Sequence, residues 1–316
     1  MQPLVYAHRG SSALLPEHTL AAYLRAIDEG ADGLECDVRL TRDGHLVCVH
    51  DRRLDRTSNG RGRVSAHTLA ELVELDFGSW HPGASAADAP TDDPPDPSRT
   101  RLLTLDHLLH EVRAAGRRIE LLIETKHPTR HGGDVERRLV DLLRRHDLLE
   151  HRPEDDLRVT VMSFSPLAVR RIRALAPGLP TVLLLEVVPP GLRVGRLPFG
   201  ARIAGPGIGL VRARPQLVPA LRAAGNQVYV WTVNEPADLE LVLDIGVDGV
   251  ITDRPGMVLE RLGRQQRGPA VPGARRRDPD AAPAPPQQAG GPGRQSPAGD
   301  PLPHGTADGQ GREADS

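Results

Sequence analysis

The chain has 316 residues, with 40 Lys and Arg against 42 Asp and Glu and a formal net charge of −2; so even a balance argues against a nucleic-acid wrapper or a polybasic membrane binder, since both need clustered positive charge. Hydrophobic residues make up 39%, enough for a sizeable core, while 3% aromatics and 30 prolines indicate that part of the chain adds little to it. Two cysteines exclude a disulfide scaffold, and charges interrupt every apolar run before it reaches the roughly 20 residues of a transmembrane helix.

The first residues, Met1 to Gly10, show neither a basic stretch nor an apolar run of the secretory type, so the expected location is the cytoplasm. Short apolar runs then alternate with longer amphipathic ones. They predict a strand over 4–7, a helix over 19–29, a strand over 34–38, a helix over 105–115 and a strand over 120–124. A helix over 135–146, a strand over 159–163, a helix over 167–175 and strands over 181–185 and 204–211 follow. A helix over 215–224, a strand over 228–232, a helix over 237–245 and a strand over 249–252 complete the series. Strand and helix in alternation, about eight times over, predict an α/β fold, a closed parallel TIM (β/α)8 barrel, with an open doubly wound sheet as the alternative.

One run breaks the alternation. Residues 46–50 also read as a strand, yet the connection from 34–38 is too short for a parallel crossover and contains Asp43-Gly44, a hairpin signal. A two-residue turn centred on that pair would set Asp37 opposite His50 and place Cys36 and Cys48 on opposite sides. From Arg264 onward Leu, Ile, Val and Phe nearly vanish and Pro, Gly and Arg dominate. The domain is therefore assigned to 1–263 and a disordered tail to 264–316.

Glu35 and Asp37 stand two apart on one strand and so share a face near its carboxyl end, and Glu124 ends another strand. Carboxylates side by side repel unless a cation lies between them, and an all-oxygen set suits Mg2+ or Ca2+. His8 and His50 also end strands, where two imidazoles beside such a cluster can divide acid and base duties. Arg9-Gly10 offers a planar fork of donors and a close backbone approach, and Lys126 adds a second positive charge. Cations around one point describe a phosphate-ester site. Trp231 and Phe164, each beside a strand end, are candidates for an apolar substrate wall or for core packing. No dinucleotide fingerprint, P-loop or serine nucleophile elbow is present.

Taken in order, His8-Arg9-Gly10, Pro16-Glu17-His18-Thr19, Glu35-Cys36-Asp37-Val38, Thr41-Arg42-Asp43-Gly44, His50-Asp51, Glu124-Thr125-Lys126, Ser163-Phe164, Trp231-Thr232-Val233-Asn234 and Thr252-Asp253-Arg254-Pro255 resemble the glycerophosphodiester phosphodiesterase family. The resemblance implies a TIM barrel with an insertion over roughly 52–104. It also implies Glu35, Asp37 and Glu124 as ligands of one divalent cation, His8 and His50 as acid and base, and Arg9 and Lys126 as phosphate contacts. Trp231, Phe164 and Glu17 would border the substrate, a small-molecule glycerophosphodiester cleaved to sn-glycerol 3-phosphate and an alcohol. His18 departs from the Asn common in the family, which affects the surroundings of Glu17 and is expected to spare the metal site. The alternatives are a barrel phosphodiesterase acting on lysolipids, which the Pro, Ala and Asp of 81–100 disfavour, and a catalytically silent phosphate-binding protein, which the intact histidines disfavour.

Overall fold

The structure, a computed structural model, describes residues 2–82, 100–129, 132–188 and 196–264; the tail beyond Arg264 and stretch 83–99 of the expected insertion lie outside them. The strands are β1 (Leu4–His8), β2 (Gly33–Leu40), β3 (Leu46–Cys48), β4 (Ile119–Thr125), β5 (Leu157–Ser163), β6 (Thr181–Leu185), β7 (Ile203–Pro206), β8 (Gln227–Val230) and β9 (Gly249–Thr252). Neighbours run β1-β9-β8-β7-β6-β5-β4-β2, all parallel, and β1 also pairs with β2, so eight strands close a barrel. β3 alone is antiparallel and hangs on the end of β2. The helices are α1 (Leu20–Glu29), α2 (Leu69–Val73), α3 (Leu105–Ala114), α4 (Asp134–Arg145), α5 (Pro166–Leu175), α6 (Ile208–Ala213), α7 (Leu217–Ala223), α8 (Pro236–Ile245) and α9 (Pro255–Arg261). No helix among the described residues is long and apolar enough to cross a membrane.

Local chemistry sets the helix starts. Thr19, Thr104 and Ser165 each accept a hydrogen bond from a backbone N–H of the first turn of α1, α3 and α5, satisfying one of the donors a helix start leaves free. Tyr6, Leu122, Met162, Val182, Leu184, Ile203, Tyr229 and Ile251 fill the barrel interior, and larger clusters seal strands against helices. Burying one such aliphatic side chain stabilises the fold by roughly 1.5–3 kcal/mol. Gly33 is required by crowding: a Cβ there would lie 2.4 Å from the Glu120 carbonyl oxygen and 2.6 Å from the Tyr6 ring.

Two expectations are corrected. The strand expected over 204–211 stops at Pro206, and after Gly207 the chain turns into α6. The apolar run Ile208, Leu210, Val211 carries no periodicity that separates a strand from a short buried helix. The hairpin register also moves by one: Val38 faces Cys48 and Leu40 faces Leu46, Thr41 N–H donates to the His45 carbonyl, and Gly44 takes a φ of 86°. The loop therefore has three residues, with glycine in the left-handed position. Val49, not His50, answers Asp37, with its N–H 3.0 Å from the Asp37 carbonyl. Cys48 then stands across from Val38 on the same face as Cys36, and both are free, buried thiols.

Candidate active site

All eight parallel strands point their carboxyl ends at one mouth. Register brings the chemistry together there: His8 pairs with Glu35 across β1 and β2, and Asp37 with Glu124 across β2 and β4. His50 follows β3, Lys126 follows β4, Phe164 follows β5 and Trp231 follows β8. Carboxylate oxygens of Glu35, Asp37 and Glu124 lie within 4.8 Å of one another, and all three residues are buried.

Such crowding strains the charges. Burial first, and the neighbouring Asp37 second, push Glu35 well above the usual carboxyl range and Glu124 up to about 8. Burial would raise Asp37 as well, but Arg9, Lys126 and His18 hold it well below its ordinary value. Its Oδ2 lies 3.0 Å from Arg9 Nε and its Oδ1 3.1 Å from Lys126 Nζ, which also reaches Glu124 at 2.8 Å. Three buried, all-oxygen donors, two of which resist ionisation without further positive charge, fit a hard divalent ion. The cluster could hold a metal.

Arg9 adopts a φ of 58°, unusual outside glycine, and its N–H lies 3.1 Å from Glu35 Oε2. Gly10, at φ 86°, lets this turn approach α1: a Cβ there would meet the Ala22 carbonyl carbon at 2.6 Å. Arg9 Nη1 donates to Glu17 at 2.9 Å, and Glu17 in turn accepts from both terminal nitrogens of Arg56. Glu17 does not line the catalytic cavity; it anchors Arg9 from behind.

His8 and His50 each have a carboxylate at Nδ1. His50 pairs with Asp51 at 2.7 Å, and Arg56 fixes Asp51 at 2.7 Å. Burial lowers the His50 imidazole to about 4; Arg9 and Lys126 push the same way and Asp37 opposes them, so the ring is neutral at neutral pH. His8 pairs with Asp253 at 2.6 Å, and its Nε2 lies 3.9 Å from Glu35. Asp253 itself accepts from Asn234 at 2.5 Å. Sequence reasoning gave Asp253 and Asn234 no role, although both stand in the motifs that close the chain's resemblance.

His18 corrects a further expectation. Its Nε2 lies 2.9 Å from Asp37 Oδ2 and its Nδ1 2.8 Å from the Tyr23 hydroxyl, so the departure from Asn reaches a candidate metal ligand directly. Burial lowers its ordinary imidazole value, and the Tyr23 hydroxyl, with one hydrogen to give, also lies 3.2 Å from the Glu35 carbonyl oxygen.

A cavity of about 130 Å³ opens over this array, and His8, Arg9, His50 and Lys126 line it. Phe164 and Trp231 meet edge to face at 5.3 Å and form its apolar wall, with Trp231 Nε1 donating to the Gly205 carbonyl at 2.6 Å. The wall holds its aromatic faces beside a cluster of charges, so a compact ligand meets both kinds of surface at once.

A family model, the glycerophosphoryl diester phosphodiesterase family, matches residues 8–257. A probable glycerophosphodiester phosphodiesterase 1 of Mycobacterium tuberculosis is 48% identical over 258 residues, covering 80% of this chain and 90% of the relative. The glycerophosphodiester phosphodiesterase of Bacillus subtilis is 35% identical over 256 residues, covering 80% and 84%. Among solved structures, an Oleispira antarctica phosphodiesterase in complex with the product sn-glycerol-3-phosphate superposes with a TM-score of 0.69 at 27% identity, over 83% of this chain and 97% of that one. The match begins at His8 and ends just past Asp253, so it spans the residues that the mouth of the barrel gathers, and the chain belongs to the glycerophosphoryl diester phosphodiesterase family.

Proposed function

We propose that the protein hydrolyses glycerophosphodiesters to sn-glycerol 3-phosphate and an alcohol. One observation carries the reading: two carboxylate-anchored histidines, two cations and two of the three clustered carboxylates, Glu35 and Glu124, border a single small cavity in a chain of this family. The Bacillus subtilis relative's name and the product bound to the Oleispira antarctica neighbour support the same substrate class.

Glu35, Asp37 and Glu124 would hold one divalent ion, Mg2+ or Ca2+ by the hardness of the donors. When bound, that ion supplies charge neutralisation at the non-bridging phosphate oxygens. Arg9 and Lys126 flank the same point and orient the phosphate. His8, steadied by Asp253, and His50, held from behind by Asp51, divide the two proton transfers: one ring takes the proton of the attacking hydroxyl through Nε2, and the other gives a proton to the departing alcohol oxygen as its bond to phosphorus breaks. The attacking oxygen belongs to water, or to the adjacent glycerol hydroxyl, in which case water opens the resulting cyclic phosphate. Phe164 and Trp231 shield the glycerol side of the cavity.

The test is release of sn-glycerol 3-phosphate from glycerophosphocholine by EDTA-stripped protein, with Mg2+ and Ca2+ restored separately. Metal-dependent release is expected, and replacing His8 by Ala should lower kcat by about 10²- to 10⁴-fold while metal binding persists. Metal binding without release from any glycerophosphodiester would overturn the reading.

A further inference from the structure

The larger cavity of the barrel mouth is not the one that holds the histidines. A neighbouring cavity of about 380 Å³ is lined by Arg39, Arg42, Arg52, Lys126 and Arg138, five basic side chains against the two carboxylates of Asp43 and Asp134. Both carboxylates are engaged elsewhere. Asp43 accepts from the Thr41 hydroxyl at 2.6 Å and from the Leu69 N–H, and Asp134 pairs with Arg137. Arg42 is held by Glu71 and the Ala66 carbonyl. Arg52 and Arg138, by contrast, have no ion pair or side-chain hydrogen bond among the described residues. Arg39 is half-buried between them and the carboxylate cluster, and its Nε donates to the His50 carbonyl at 2.8 Å.

Guanidinium groups brought together without carboxylate partners repel, and an anion relieves that repulsion with charge-assisted, forked hydrogen bonds. Lys126 lines both cavities, and the Arg39 contact ties the second cavity to the backbone of His50. We propose that this cavity receives the departing alcohol of the substrate and that it selects alcohols carrying an anionic group of their own, a second phosphate above all. The inference rests on the phosphodiesterase reading and deepens it by naming a substrate class. With five basic side chains at the lining, the cavity disfavours the cationic head of glycerophosphocholine relative to a doubly anionic one.

The experiment compares glycerophosphoglycerol with the same diester bearing a phosphate on its far glycerol, using the full chain and its Arg52→Ala/Arg138→Ala variant. In the native protein kcat/KM should favour the phosphate-bearing diester by roughly tenfold or more, and in the variant that ratio should fall toward one. A native ratio near one, or a ratio that survives the double substitution, overturns the proposal. Arg52-dependent and Arg138-dependent binding of inorganic phosphate with a native ratio near one would mean a site for a free anion, which also overturns it. If neither diester is cleaved, the reaction assignment fails, and calorimetric binding of the two diesters decides for the cavity. Tighter binding of the phosphate-bearing one, weakened in the variant, supports it, and equal binding refutes it.

Discussion

The hydrogen bond between His8 and Asp253 joins residues 245 apart in the chain and fixes which ring nitrogen faces the cavity. Asp253→Asn keeps the shape but withdraws the charge that steadies an imidazolium, so kcat should fall by roughly 10²-fold or more with little change in KM; an unchanged kcat would refute the role. The same residues govern acid stability. Burial alone would raise Glu17 and Asp253, yet hydrogen bonds from Arg56 and His8 bring each down to about 2. Between the ordinary carboxyl range and about 2, the unfolded chain therefore binds more protons than the folded one, and stability falls as pH falls. His50 opens an earlier window. Its folded value of about 4 lies below the ordinary 6.5, so the unfolded chain alone is protonated between them and stability declines there too. Glu124, held up to about 8, opposes this down to the ordinary carboxyl range, since there the folded chain binds the extra proton, so the two effects offset; urea midpoints should drop below about pH 4.5, and a flat profile there would contradict this. Much of this site was legible, because a His or a carboxylate at a strand end can point only at the mouth or the wall of a barrel. Asp253 was not, since nothing local in Thr252-Asp253-Arg254-Pro255 says which distant ring it will meet.

At the scale of elements, buried parallel strands announced themselves as short apolar runs, and β6 and β9 have the expected bounds. The β2–β3 hairpin was legible as a hairpin but not in register. Asp-Gly suits a two-residue turn as well as a three-residue one, and the choice falls to side chains: Thr41 Oγ1 donates to Asp43 at 2.6 Å and accepts from His45 N–H at 2.9 Å, which locks the longer loop. α6 was hidden for a different reason, since neither Gly207 nor the apolar run after it distinguishes the end of a strand from the start of a helix. The junction of β1 and α1 carries a firm prediction. Gly10→Ala combines a left-handed φ with a clash against the Ala22 backbone, so it should lower stability by more than about 1 kcal/mol and reduce activity by displacing Arg9. A thermal melt indistinguishable from that of the native protein would refute the packing argument.

The molecule closes where β1 meets both β2 and β9. Asp32 sits beside that seam, accepting from the Val5 N–H at 2.8 Å and from Arg264 through a forked pair at 2.5 and 2.6 Å. A chain ended at Gly263 should therefore lose about 1–2 kcal/mol relative to one ended at Arg264, and equal melting temperatures would show the clamp to be idle. The seam has one more consequence, and it concerns the order in which the enzyme comes into being. Thr252, the end of β9, pairs with Ala7, and the next residue is the partner of His8. A polypeptide still emerging from the ribosome can present His8, Arg9 and the first two carboxylates of the cluster long before residue 253 exists. It cannot orient the first histidine until its final strand is in place. The site is therefore completed by the last strand of the barrel, whatever was made before it.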